Sequence, residues 1–154
     1  MVHPRTLFGM DLEGRRNGGR PDVRVLVVED DDEARAVLLA MLRKIFGVFA
    51  QGARNGEEGL QELFAVHPHL ILCDLQMPRL DGFGFVRRLR RDPKFGRTPT
   101  IAVSGLGHPV DVAAAQEAGF DGHVVKPITA STLARLLDRA WDSREAGDSP
   151  EDVA

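Results

Sequence analysis

Between residues 23 and 141, five short apolar runs alternate with five amphipathic stretches, and this rhythm constrains the fold more than any other feature. Val23-Arg24-Val25-Leu26-Val27-Val28 is β-branched at most positions, the mark of a strand buried on both faces. Ala34, Val37, Leu38, Met41, Leu42 and Ile45 then recur at helical spacing, with Asp31 or Asp32 as the N-cap. A weaker strand at 48–53 breaks at Asn55-Gly56, before a helix carrying Leu60, Leu63 and Phe64. Leu70-Ile71-Leu72-Cys73 reads as the third strand, followed by a loop and a helix at 82–91. Thr100-Ile101-Ala102-Val103 is the fourth, with a helix over 110–118 that stops at Gly119. His123-Val124-Val125 is the fifth, and Leu133, Leu136, Leu137, Ala140 and Trp141 share one face of the last helix. Alternating units of this kind predict an α/β, doubly wound, five-stranded parallel sheet with helices on both faces.

The rest of the chain reads differently. Residues 1–21 hold several glycines, two prolines and four arginines but little apolar surface, so a flexible basic extension is expected there. Residues 143–154 form an acidic tail of the same character, which leaves 22–142 as the folded domain. A net charge of -3 gives no global attraction for nucleic acid. The single cysteine, Cys73, has no internal partner, no apolar run is long enough to cross a membrane, and residues 1–10 lack the apolar central region of a signal peptide. These features predict a cytoplasmic protein with neither membrane nor direct nucleic-acid contacts.

In a parallel sheet of this type ligands sit beyond the carboxyl ends of the strands. The first strand ends in Glu29-Asp30-Asp31-Asp32, the third in Asp74, the fourth in Ser104, and the fifth leads into Lys126-Pro127. Crowded carboxylates repel one another, and a divalent cation removes that cost. Hard oxygen ligands with open positions suit Mg²⁺, and a lysine and a hydroxyl could serve the remaining oxygens of a phosphate. Taken singly, each residue has a plainer reading: a helix cap for Asp31 and Asp32, a turn former for Asp74 or Ser104, a solvated lysine for Lys126. Taken together, at the ends of four strands on one edge, they describe phosphoryl transfer to a carboxylate nucleophile.

These residues carry a resemblance. Val25 to Asp31, Leu72-Cys73-Asp74-Leu75-Gln76-Met77-Pro78-Arg79-Leu80-Asp81-Gly82, Ile101 to Gly105 and Gly119 to Ile128 resemble the receiver domains of two-component response regulators. The likeness covers about residues 22 to 141 and implies a flavodoxin-like (βα)5 fold with strand order 2-1-3-4-5. It implies that Asp74 is the phosphoacceptor, fed by a phosphohistidine on a histidine kinase or histidine phosphotransfer protein. Asp30, Asp74 and the backbone carbonyl of Gln76 would ligate Mg²⁺, with Glu29 acting through a metal-bound water. Lys126 would pair with the phosphoryl oxygens, and Ser104 would swing to hydrogen-bond them. The resemblance further implies a switched output surface on the fourth helix, fifth strand and fifth helix, read by a downstream protein.

Three positions depart from the family pattern. Glu29 replaces a commoner aspartate, and Ser104 a commoner threonine whose hydroxyl it keeps. His123 stands where a tyrosine or phenylalanine ring usually reports the switch; its imidazole could move similarly and add pH sensitivity, or it could be a half-exposed strand histidine without that role. His67, His69 and His108 have no ligand spacing and read as loop or surface residues. Arg87, Arg88, Arg90 and Arg91 read as a solvated basic face that could meet an acidic kinase surface or nucleic acid.

The leading expectation is a stand-alone regulator or phosphorelay intermediate, with output through a partner. The alternative is a receiver excised from a hybrid kinase or larger regulator. No enzymatic turnover is expected beyond transfer to its own aspartate and loss from it. A phosphohydrolase using an aspartyl-phosphate needs an acid two residues after the nucleophile, and Gln76 stands there. A flavin-clamping set of aromatic loops is also missing.

Overall fold

Period-two alternation sends Val25 and Val27 of the first strand into one apolar layer, and Leu26 and Val28 into the other. The computed structural model describes residues 6–7, 10–11, 23–77, 79–105 and 111–145. Its main sheet holds β1 (Arg24–Val28), β2 (Phe49–Ala53), β3 (Leu70–Asp74), β4 (Thr100–Ser104) and β5 (Gly122–Val125). All neighbours are parallel, in the order β2-β1-β3-β4-β5, which is the doubly wound sheet the sequence predicts. Helices α1 (Asp32–Ala40), α2 (Gly56–Val66), α3 (Gly82–Arg90), α4 (Val112–Ala118) and α5 (Ala130–Glu145) connect and follow the strands. Leu38, Leu42, Leu133 and Leu137 close one layer; Leu63, Phe85, Leu89 and Ala115 close the other. Full burial of each such leucine or phenylalanine contributes about 1.5–3 kcal/mol.

Local chemistry sets the helix starts. Asp31, Asn55, Asp81 and Asp111 each accept a backbone N–H three residues on, at 3.0, 2.9, 2.8 and 3.0 Å. Of the two caps proposed for α1, Asp31 is the one used. Gly119 ends α4 at φ 123°, a region that suits glycine.

α1 does not continue as a regular helix. Residues Met41–Ile45 widen into a π turn, so the predicted apolar stripe is only partly buried. Leu38 and Leu42 enter the core, whereas Ile45 turns out to solvent; Val37, within α1, is 59% exposed. Arg43 follows the widened turn to β2 and donates to the Ala50 carbonyl at 3.0 Å through Nε and 2.6 Å through Nη2. Glu29 N–H binds the Ala53 carbonyl on the inner side of β2, so by alternation Ala50 O faces the open edge. Arg43 therefore caps a bare carbonyl of an edge strand.

Two further expectations are corrected by burial. His69 is not a surface residue: it is 3% exposed, and its Nδ1 accepts the Arg24 N–H at 3.0 Å. Arg90 is not part of a solvated face. Its guanidinium donates to the carbonyls of Gly119 (2.8 Å), Gly96 (3.2 Å) and Thr98 (2.7 Å) and to Asp121 (2.8 Å). Phe64 is exposed but sets its ring edge-on to the buried Phe95. His108 and the predicted helix start at Val110 lie outside the described residues. Within the stretch read as an extension, Thr6–Leu7 pairs antiparallel with Met10–Asp11; the rest of 1–22 also lies outside. By its backbone α5 runs on through Glu145, three residues into the stretch read as tail, and 146–154 lie outside the described residues.

Candidate functional site

The parallel register brings the carboxyl ends of β1, β3, β4 and β5 to one edge, each delivering a polar residue. Glu29 follows β1 and is 2% exposed, Asp74 ends β3 at 8%, and Ser104 ends β4 at 4%; Asp30 is exposed. Carboxylate oxygens of Glu29, Asp30 and Asp74 all lie within 4.8 Å of one another. Lys126, directly after β5 and before a cis Pro127, ion-pairs with Glu29 and reaches Asp74 Oδ2 at 3.6 Å. Of the predicted residues, the structure thus gathers Glu29, Asp30, Asp74 and Lys126 into one cluster. Gln76 adjoins it through its N–H, which donates to Asp74 Oδ1 at 3.1 Å. Ser104 is joined by its backbone, its carbonyl accepting the Lys126 N–H at 2.7 Å. His123 lies on β5, two residues before the last one of the strand, and is exposed.

Residues to which the sequence assigns no role at the site hold this edge in shape. Arg35 donates to the Glu29 carbonyl at 2.9 Å and to Asp32 at 2.6 Å, pinning the acidic turn. Gly82 packs so tightly under the loop after Asp74 that a Cβ there would overlap the Asp74 carbonyl and sit 2.8 Å from Leu75 Cα. The Asp-Gly pair at 81–82 was the available signal: Asp81 caps α3, and only a residue without Cβ lets that cap close against β3.

The electrostatics follow from burial and crowding. Burial raises the Glu29 carboxyl above its ordinary value, Asp74 beside it adds to the rise, and Lys126 opposes it. Burial alone would lower Lys126, but Glu29 and Asp74 outweigh it and hold the ammonium above the usual lysine value. Asp31, by contrast, is lowered by the Ala34 N–H it caps. The Cys73 thiol is pushed up by complete burial and by the nearby carboxylates, which makes it a poor nucleophile. The Ser104 Oγ is buried and has no hydrogen-bond partner among the described residues, a costly state unless a ligand supplies one.

An all-oxygen donor set with excess negative charge fits a hard divalent cation such as Mg²⁺, and the unsatisfied Ser104 hydroxyl fits an oxyanion beside it. A group raised in the folded state, as Glu29 is, favours the fold below its ordinary value, and that contribution is lost as pH rises through the folded one. At neutral pH the ionised Glu29 carboxylate therefore costs the metal-free fold stability, while Lys126, raised likewise, still contributes its stabilisation there. Asp74→Asn, which removes one negative charge but keeps an oxygen for the Gln76 N–H, is expected to stabilise the metal-free protein by about 1 kcal/mol, or ~4 °C in Tm. Millimolar Mg²⁺ should raise the Tm of the parent chain and erase most of that gap. Calorimetry with and without chelator checks both; a lower Tm for Asp74→Asn would contradict the repulsion.

Comparison with known proteins agrees with this geometry. Residues 25–138 match the family model of the response regulator receiver domain. A gliding motility regulatory protein of Myxococcus xanthus is 39% identical over 118 residues, which cover 76% of this chain and 15% of that protein. A protein-glutamate methylesterase/protein-glutamine glutaminase of Anaeromyxobacter dehalogenans is 40% identical over 73% of this chain and 31% of its own length. The chain therefore spans less than a third of either relative. A 14.6 kDa protein of Leptolyngbya boryana is 35% identical, and there the match covers 75% of this chain and 87% of the relative. Among solved structures, chemotaxis protein CheY4 of Vibrio cholerae superposes with a TM-score of 0.71 at 27% identity, over 77% of this chain and 98% of that one. The receiver domain of sensor histidine kinase PA1611 of Pseudomonas aeruginosa, which holds a magnesium ion in its active-site cleft, gives 0.71 at 28% identity, over 79% and 99%. With the fold, the acidic edge and the family match in agreement, the chain belongs to the response regulator receiver domains of two-component signalling.

Proposed function

We propose that this chain accepts a phosphoryl group on Asp74 from a phosphohistidine of a sensor kinase or histidine phosphotransfer protein, with Mg²⁺ required, and so switches a protein-interaction surface. The observation that carries the reading is the bridge of Lys126 between two buried carboxylates, Glu29 and Asp74, delivered by different strands. Asp30, Asp74 and the Gln76 carbonyl would hold the cation, and Glu29 would act through its water. Bound Mg²⁺ would neutralise the carboxylates and the incoming phosphoryl oxygens. An Asp74 carboxylate oxygen forms the new bond to phosphorus, while the bond from phosphorus to the imidazole nitrogen breaks and its electron pair stays with the imidazole. Lys126 leaves Glu29 for one phosphoryl oxygen, and the Ser104 hydroxyl donates to another. The cost of the unpartnered hydroxyl is thereby relieved in the phosphorylated state alone, which gives the switch a driving force.

Two surfaces support the partner assignments. A groove of about 530 Å³ beside the site is lined by Ala34, Val37, Met41 and Ile128, and opens onto Glu29 and Lys126. A phosphodonor docked there would reach Asp74. On the α4–β5–α5 side, exposed Val112 and Val125 flank His123, and this is the surface we assign to the downstream target. Turnover is confined to the chain's own aspartate. Among the described residues no helix is long and apolar enough to cross a membrane, consistent with a cytoplasmic site of action.

The assignment is tested by intact mass after incubation with Mg²⁺ and acetyl phosphate. A single phosphoryl adduct that needs Mg²⁺ and is missing from Asp74→Asn is expected; an adduct that persists in the variant would overturn the reading. Val37→Glu tests the groove. It should slow transfer from a phosphohistidine protein about tenfold by placing a charge in an apolar contact, and leave acetyl phosphate uptake unchanged. Because Val37 is 59% exposed, stability should move by less than about 0.5 kcal/mol.

A further inference from the structure

The end of the third helix and the loop after it carry a charge excess, and three of its arginines make no side-chain hydrogen bond or ion pair with the fold or the site among the described residues. Residues 87–97 hold six cations and one anion, a net of +5 in a chain whose total is -3, so the remainder stands at -8. Arg90 is engaged with carbonyls and Asp121. The one anion, Asp92, is turned back onto its own loop, accepting from the N–H groups of Lys94 and Phe95 at 2.8 and 2.9 Å. Arg87, Arg88 and Arg91 remain exposed, and among the described residues none has an acidic partner. Two arginines on other faces do pair locally, Arg35 with Asp32 and Arg54 with Glu58.

Like charges on one helix face repel. Arg87 and Arg91 are one turn apart and Arg88 and Arg91 three residues apart, so each like-charged pair costs about 0.2–0.5 kcal/mol. Arg87 and Arg88 stand in the last turn of α3 and Arg91 at its C-cap, where the helix dipole favours cations, so the dipole offsets part of this repulsion without supplying any of the three with a carboxylate. Arg87 is also pre-positioned, with its guanidinium 6.0 Å from the Phe83 ring centroid.

We propose that the stripe of Arg87, Arg88 and Arg91 docks a carboxylate-rich helical segment of a partner protein. One helical turn separates Arg87 from Arg91 by about 6 Å, the spacing that glutamates at i and i+4 present on a facing helix. Guanidinium forks bind carboxylates in paired hydrogen bonds, which gives such a contact register as well as charge. A nucleic acid fits less well: so short a stripe meets few phosphates, and the -8 carried by the rest of the chain repels a long polyanion.

The test uses the full chain and a labelled helical peptide with glutamate at every fourth position, beside single-stranded DNA of equal charge. The peptide is expected to bind, with affinity falling about tenfold between ~50 and ~300 mM salt, and to lose about tenfold or more on Arg87→Glu/Arg91→Glu. Arg54→Glu, a charge reversal on another surface, should leave peptide binding unchanged. Equal binding by the double variant, no peptide binding, or tighter binding of DNA than of peptide would each overturn the proposal. Phosphoryl uptake on Asp74 from acetyl phosphate should be unaltered in the double variant, so failure here is separable from failure of the phosphoacceptor reading.

Discussion

Lys126→Ala is expected to slow phosphoryl uptake from acetyl phosphate about a hundredfold, the scale of losing one pre-organised charge donor to a developing oxyanion. Lys126 is the cation that bridges Glu29 and Asp74, so its ammonium needs only to be handed from carboxylate to phosphoryl oxygen. The same substitution should tighten Mg²⁺ binding, because it removes a positive charge that competes for the carboxylates. These opposite movements separate a chemical role from damage to the fold, which would weaken both. Lys126→Arg keeps the charge but spreads it over a planar fork, and partial recovery of rate is expected from it. Uptake by Lys126→Ala at the parental rate would remove Lys126 from the chemistry.

Arg90→Ala is expected to have the largest effect on stability of any surface-helix substitution here, about 3 kcal/mol or ~10 °C in Tm. The side chain ties the end of α3 to two neighbouring segments, 96–98 and 119–121. Its loss leaves the carbonyls of Gly119, Gly96 and Thr98 short of a charged donor, and Asp121, which also accepts the Thr100 N–H, without its cation. Arg88→Ala, on the exposed side of the same helix, should cost less than about 0.5 kcal/mol. Thermal denaturation of the two variants side by side checks the difference; equal Tm values would refute the staple.

What the sequence revealed and what it concealed divide along a physical line. Glu29, Asp30, Asp74, Ser104 and Lys126 were legible because each follows or ends an apolar run, and parallel topology forces such positions to one edge. Helix caps were legible for a similar reason, since Asp31 and Gly119 act on backbone only three or four residues away. Arg90, Arg35 and Arg43 were not, because their partners are mainly backbone carbonyls, which leave no trace in side-chain identity. His69 was hidden likewise, buried by a bond to the Arg24 N–H across 45 residues. The π turn escaped because an apolar stripe at three- and four-residue spacing does not report where the helix widens. Val37 then reads as core from its spacing, although its place on the rim of the groove beside Lys126 is what gives it a use.

The central claim, that Asp74 itself carries the phosphoryl group, is most directly tested by trapping the product. Chain phosphorylated with acetyl phosphate and Mg²⁺ is reduced with borohydride, which converts an aspartyl phosphate to homoserine, and is then digested and sequenced by mass spectrometry. The account predicts homoserine at position 74 and aspartate retained at positions 30, 31, 32 and 81. Homoserine at one of the neighbouring aspartates, or a phosphoryl adduct that borohydride leaves untouched, would contradict it.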